Sequence, residues 1–511
     1  MALPIAHDTR GVQSCFDCLV FHCVTAHMPM SFLSLRAAPR LIPTLALCLL
    51  AACGGGVTRS FTPASDPAAQ SATAPDSIGP KTVVLMLDGT GNDLNSVTNV
   101  GRLHQLVTLQ NRRDLSVFYT SGVGADRTGP LGLATGLGFR KDVETAYGFL
   151  SDRFDPGQDK LHLYGYSRGA FAARALAGFV HSVGLLDLTQ FDQPSGGYDP
   201  DLTRQRREFL SEIFTAYKFP PGHLRQSACA DQREHLRDIC MRRAATAQVR
   251  DRWNVPLRAH HSQVAFDVVG LWDTVEVLGL SNADDDPNDF NPRYSDQICN
   301  MKQVRHAVSL DDTRATTYTP VLMTRNRLTR DCDDPDAGHF KRVKEVWFAG
   351  AHGDVAGSYA QGALGGVSLN WMLQETAGTG VDGGSIYPDG SEVYQHELDI
   401  VHDTERMNLG FQAIFFRNLR DLAGYLAPCE NGEEKDEAGS LCGSAVEIFQ
   451  IHPSAVARAK AEAVISADLR RKPSGRQPRV LEQGEQNLKR CIEKLPERAD
   501  NCPPLKIWTA D

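Results

Sequence analysis

A serine hydroxyl attacks a carbonyl at neutral pH only when a base removes its proton, and that base is usually a histidine held by a carboxylate. Gly165-Tyr166-Ser167-Arg168-Gly169 offers such a serine. A short apolar run over 161–164 precedes it and an alanine-rich helical pattern follows, which is the strand–turn–helix setting of a nucleophile elbow. Acid and base follow in the order Ser, Asp, His. Asp273 stands beyond a strand read over 264–270, and His352 stands on a glycine-flanked loop beyond a strand read over 343–348. The expected chemistry is acyl transfer, with Ser167 as nucleophile, His352 as base and Asp273 as the orienting acid. His306, read on a helix, ranks second as base. Asp354 ranks second as acid and suits loop shaping or substrate binding better. An oxyanion hole needs two backbone N–H groups aimed at the developing charge. Arg168, at the start of the helix, is expected to give one, and Gly89 or Thr90, after Asp88 in a glycine-rich loop, the other.

These residues need a sheet to hold them. The run over 82–87 is apolar without a break, as in a strand buried on both faces of a parallel sheet, and 115–119 reads as a second strand. Val143, Ala146, Tyr147 and Leu150 have helical spacing between that strand and the elbow. Alternating strands and helices predict an α/β fold, three layers built on a mostly parallel sheet. Residues 187–260 are polar and read as an insertion, a lid over the site with a helix around 207–217. Residues 376–511 read as a helical, cysteine-bearing extension to a catalytic domain over 81–375.

The chain has 511 residues, 42% of them hydrophobic, and 53 Lys+Arg against 62 Asp+Glu give a net charge of −9. No basic block stands out, which argues against nucleic acid as a partner. Arg36 and Arg40 precede a short apolar run over 41–50, and Leu50-Ala51-Ala52-Cys53 follows. This pattern reads as a bacterial lipoprotein signal over 1–53, with Cys53 acylated, and the first 27 residues have no place in it. Residues 54–80 read as a disordered tether. The expected location is the cell envelope, lipid-anchored at the outer membrane and facing the periplasm. Of 13 cysteines, eight remain beyond Cys53, and their proximity suggests the pairs Cys229–Cys240, Cys299–Cys332, Cys429–Cys442 and Cys491–Cys502. No Cys-x-x-Cys spacing for zinc occurs among them, and the acidic run at 284–289 reads as a solvated turn rather than a calcium loop.

Six motifs then fall in one order: Asp88-Gly89-Thr90, Thr98-Asn99-Val100, Gly122-Val123-Gly124, the serine elbow, Trp272-Asp273-Thr274, and Trp347-Phe348 with His352 and Asp354-Val355. Together they resemble the α/β-hydrolase domain of type VI secretion phospholipase effectors over about 82–375. The resemblance implies esterase chemistry on phospholipid acyl chains, without metal or cofactor, and assigns Ser167, Asp273 and His352 the roles given above. Two features depart from it. A lipoprotein signal is not usual in a delivered effector and points to an exported resident of the cell's own envelope. Ala356 also stands where that family is glycine-rich. The alternatives are an esterase or thioesterase on soluble esters, or a non-catalytic envelope protein that binds lipid or a partner.

Overall fold

The computed structural model describes residues 79–122, 137–194, 199–276, 291, 293–312, 314, 318–359, 362–399, 401–402, 420, 422–426, 443–461, 483–497 and 502–510. Cys53, most of the tether, Val123 and Gly124, the acidic run at 284–289 and the Cys429–Cys442 pair lie outside the described residues.

The chain runs through β1 (Thr82–Leu87), α1 (Asn99–Thr108), β2 (Leu115–Thr120), α2 (Leu137–Arg153), β3 (Lys160–Tyr166) and α3 (Arg168–Val183). Next come β4 (Leu185–Leu186), α4 (Pro200–Lys218), α5 (Arg237–Arg252), β5 (Leu257–Ala259), β6 (Val268–Trp272), β7 (Val304–Ser309) and β8 (Val343–Phe348). It ends with α6 (His352–Val355), α7 (Leu364–Thr376), α8 (Leu422–Tyr425), β9 (Phe449–Ile451), α9 (Gln483–Glu493) and β10 (Leu505–Ile507). Eight strands form one sheet in the order β10-β9-β8-β7-β6-β3-β1-β2, with every neighbouring pair parallel. The short strands β4 and β5 pair antiparallel beside it.

Side chains alternate across a strand, so the unbroken apolar run of β1 feeds two cores. Val83, Leu85 and Leu87 pack with α2 and α3 on one face. Val84 and Met86 pack with Val100 and Leu103 of α1 and Trp371 of α7 on the other. The three-layer α/β fold is therefore as expected. The chain steps from β1 to β2 on one side and returns to β3 on the other. Ligands of open α/β sheets bind at the carboxyl ends of strands at such a switch point, and both the Asp88 loop and Ser167 lie there.

Four expectations need correction. The sixth strand occupies Val268–Trp272, shifted along from 264–270, which brings its end directly against Asp273. His306 lies in strand β7, not on a helix. The 187–260 insertion is not polar throughout: Phe209, Ile213, Phe214, Tyr217 and Val249 of α4 and α5 join the core formed by α2 and α3. The segment after 375 is not helical throughout, because β9 and β10 continue the main sheet. Among the described residues three of the expected disulfides are present, Cys229–Cys240, Cys299–Cys332 and Cys491–Cys502.

Candidate active site

The strand ladder runs one residue past the ends of its strands and lays the site residues side by side. Ser167 N–H donates to Trp272 O at 3.0 Å, and Asp273 N–H donates to Ala307 O at 2.7 Å. Ser167 sits between β3 and α3 with φ +58°, and Asp273 follows β6 with φ +40°. Positive φ in a non-glycine residue stores roughly 1–3 kcal/mol, and such strain persists where the surrounding structure enforces it. The two motif glycines do the enforcing. A Cβ on Gly169 would lie 2.3 Å from the carbonyl oxygens of Leu87 and Asp88, and one on Gly165 would lie 2.6 Å from Ala170 Cα. Strand β1, the elbow and helix α3 thus touch through bare backbone.

His352, the first residue of α6, reaches both partners. Its Nε2 is 2.7 Å from Ser167 Oγ and its Nδ1 is 2.6 Å from Asp273 Oδ2. A carboxylate only accepts, so Nδ1 carries the hydrogen and the Nε2 lone pair faces the serine hydroxyl. All three side chains are buried, with Asp273 fully inaccessible. Tyr166 and Tyr318 flank the imidazole at ring-centroid distances of 4.9 and 4.7 Å. His352 N–H donates to Asp312 Oδ2 at 3.1 Å, and Arg314 pairs with that carboxylate at 2.7 Å.

Burial dominates the electrostatics of the imidazole and lowers its affinity for a proton. The hydrogen bond and charge of Asp273 oppose this, and the net direction is downward. Burial alone would raise Asp273, but the Arg420 guanidinium and the His352 hydrogen bond hold it well below the usual carboxylate range. Asp312 is likewise pushed up by burial and pulled below its ordinary value by Arg314.

The loop after β1 is tied to its own carboxylate. Asp88 Oδ1 accepts from Gly89 N–H at 2.7 Å, and Oδ2 accepts from Thr98 Oγ1 and Tyr119 Oη, both at 2.7 Å. Burial pushes Asp88 up to about 6 against these bonds. Asp88 therefore shapes the loop and stands apart from the proton path. Gly89 has already given its N–H to Asp88, which leaves Thr90 as the loop's candidate for an oxyanion donor.

The second-rank residues lie elsewhere. His306 Nε2 accepts from Thr274 N–H at 3.1 Å, and its Nδ1 is 2.8 Å from Glu345 Oε2, so both nitrogens are committed. It braces the residue next to Asp273 and does not meet Ser167. Asp354 accepts from Ala351 N–H at 3.0 Å and pairs with His402 Nδ1 at 2.6 Å, which fixes the His352 turn. Arg420, absent from the sequence reading, donates to Asp273 Oδ1 at 2.6 Å and Oδ2 at 2.8 Å. No motif marks it, since it stands alone more than 60 residues past His352. Ser309 N–H adds a further bond to Asp273 Oδ1 at 2.9 Å.

Comparison with known proteins places this geometry in a family. Residues 81–375, more than half of the chain, match the model described as T6SS, phospholipase effector Tle1-like, catalytic domain. A crystal structure of an uncharacterized protein from Pseudomonas aeruginosa is 18% identical, with 60% of this chain and 46% of that one covered at a TM-score of 0.30. A structure of the Tle1 effector bound to the VgrG spike of the type 6 secretion system is 16% identical, covering 56% and 52% at a TM-score of 0.24. YbtT, a type II thioesterase from the yersiniabactin pathway, is 11% identical, covering 59% and 94% at a TM-score of 0.23. A curated relative, the uncharacterized protein YEL023C of Saccharomyces cerevisiae, is 30% identical over 151 residues, 26% of this chain. This chain spans about a fifth of that relative's length (20%). By the match over its catalytic domain, the chain belongs to the Tle1-like family of type VI secretion phospholipase effectors.

Proposed function

We propose that this protein is a serine hydrolase that cleaves carboxylic esters of lipids, phospholipid acyl esters foremost, through an acyl-serine intermediate. One observation carries the reading: a single imidazole lies within hydrogen-bonding distance of Ser167 Oγ on one side and Asp273 on the other, at 2.7 and 2.6 Å. In the first half-reaction Ser167 Oγ attacks the ester carbonyl carbon while its proton passes to His352 Nε2. The resulting oxyanion meets the backbone N–H groups of Arg168 and Thr90, and the positive end of α3 adds to their effect. The carbon–oxygen bond to the alcohol then breaks, and the alcohol leaves with the proton from His352. In the second half a water gives its proton to His352 and attacks the acyl-serine. The acid departs, and Ser167 recovers its proton.

The family supports lipid as the substrate class. Leu50-Ala51-Ala52-Cys53 supports an envelope location through a lipid on Cys53. The decisive experiment combines labelling by a fluorophosphonate with turnover of a short-chain nitrophenyl ester and of micellar phospholipid. Wild type is expected to label and to favour the phospholipid, while Ser167→Ala loses both label and turnover and melts within a few degrees of wild type. Full turnover in Ser167→Ala would refute the nucleophile. A preference for the soluble ester would refute the substrate class.

A further inference from the structure

This inference rests on the serine-hydrolase reading above. A triad carboxylate must stay ionised, hold one orientation and give one oxygen to the imidazole. Asp273 does this while completely buried, where an unpaired carboxylate is costly. Arg420 meets it edge-on, with Nη1 at 2.6 Å from Oδ1 and Nη2 at 2.8 Å from Oδ2, the two-pronged geometry that a guanidinium makes best. The guanidinium is anchored in turn: Nη1 donates to Ser309 O at 2.8 Å and Nη2 to Tyr318 O at 2.9 Å. It therefore bridges the end of β7, the triad acid and the residue whose ring packs on His352. Residue 420 lies beyond 375, where the match to the catalytic domain ends.

We propose that Arg420 is a positioning residue for the triad, supplied by the chain outside the catalytic domain, which fixes the Asp273 carboxylate and thereby sets the pH at which His352 acts as base. Several groups face the imidazole: Asp273 with Arg420 behind it; Asp312, Arg314 and Tyr318 from the segment after β7; and Tyr166 from β3, while Asp354 of its own turn is engaged by Ala351 N–H and His402. The negative charge of Asp273 favours the imidazolium, and the cation behind it offsets part of that charge. Without Arg420 the carboxylate keeps its neutral Ser309 partners but has no opposing cation, so the histidine keeps its proton to higher pH. The carboxylate also loses the clamp that stops it from rotating.

The test is the pH profile of kcat/KM on a short-chain ester for wild type, Arg420→Gln and Arg420→Lys, with Ser167→Ala as the blank. For Arg420→Gln the acid limb is expected to move up by about one pH unit and the plateau to fall about tenfold or more. Arg420→Lys keeps the charge without the fork, so its limb stays near wild type while its plateau falls. A wild-type limb in a folded Arg420→Gln variant overturns the proposal. If the glutamine variant does not fold, the lysine variant decides, and a wild-type plateau there overturns it equally. Turnover surviving in Ser167→Ala defeats the underlying hydrolase reading instead, and the two failures are thereby distinguished.

Discussion

An imidazole works as a base only while neutral, so the surroundings of His352 fix the pH range of the site. Burial lowers its proton affinity more than Asp273 and Asp312 restore it. The neutral form is thus retained below the ordinary imidazole range near 6.5 and is lost only as pH falls through the depressed value. We expect the acid limb of kcat/KM to lie below pH 6.5, and a limb above about 7 would contradict this electrostatic account. His306 offers the contrasting case of a histidine that braces. His306→Ala would leave the Thr274 N–H and the Glu345 carboxylate buried without their partner, at a cost of about 2–4 kcal/mol. Denaturant melts should show that loss, while the surviving folded fraction still labels with fluorophosphonate. Complete loss of labelling in folded protein would make His306 a catalytic group. Ser167, Asp273 and His352 were legible because each follows a largely apolar strand, and Ser167 and His352 also stand between glycines or other small residues. Arg420 was not, since a lone arginine in a tail carries no spacing that reports a partner 147 residues away.

Strand β1, the elbow and helix α3 depend on close approach more than on side-chain packing. A methyl at Gly169 would press on two carbonyl oxygens at the end of β1, the same backbone that leads into Gly89 and Thr90. Gly169→Ala is therefore expected to destabilise by roughly 1–3 kcal/mol and to lower turnover together with stability. Gly222→Ala is the control, since nothing lies within 4 Å of its Cβ position, and its melting temperature should stay near wild type. Equal stability of the two variants would show that the elbow tolerates a wider turn than the contacts imply. Strand β1 was readable from its unbroken apolar run, and β2, β3 and β8 from four apolar residues in each. Strand β7 escaped because three of its six residues are polar, each satisfied inside the fold. Arg305 pairs with Glu375 at 2.7 Å, His306 with Glu345 at 2.8 Å, and Ser309 Oγ donates to Asp273 Oδ2 at 3.3 Å. Only the neighbouring strands reveal that such a segment is interior.

The tail tests how far a catalytic domain can be separated from the molecule that carries it. Strands β9 and β10 are three residues each, too short for any periodicity to show, yet β9 pairs in register on β8 and β10 on β9. Phe449, Ile451, Val456, Ile492 and Leu495 then bury Trp347 of β8 in a third core of their own making. A chain ending at residue 375 would lose that cover, leaving the backbone edge of β8 unpaired and a fully buried tryptophan open to water. It would also lose Arg420. We expect such a shortened chain to be largely insoluble and any soluble fraction to label poorly with fluorophosphonate. Recovery of soluble protein that melts cooperatively and turns over esters at the full rate would mean that the sheet is complete at β8. The tail would then be an accessory added to a finished enzyme, and the tie between residue 420 and the triad acid would be dispensable with it.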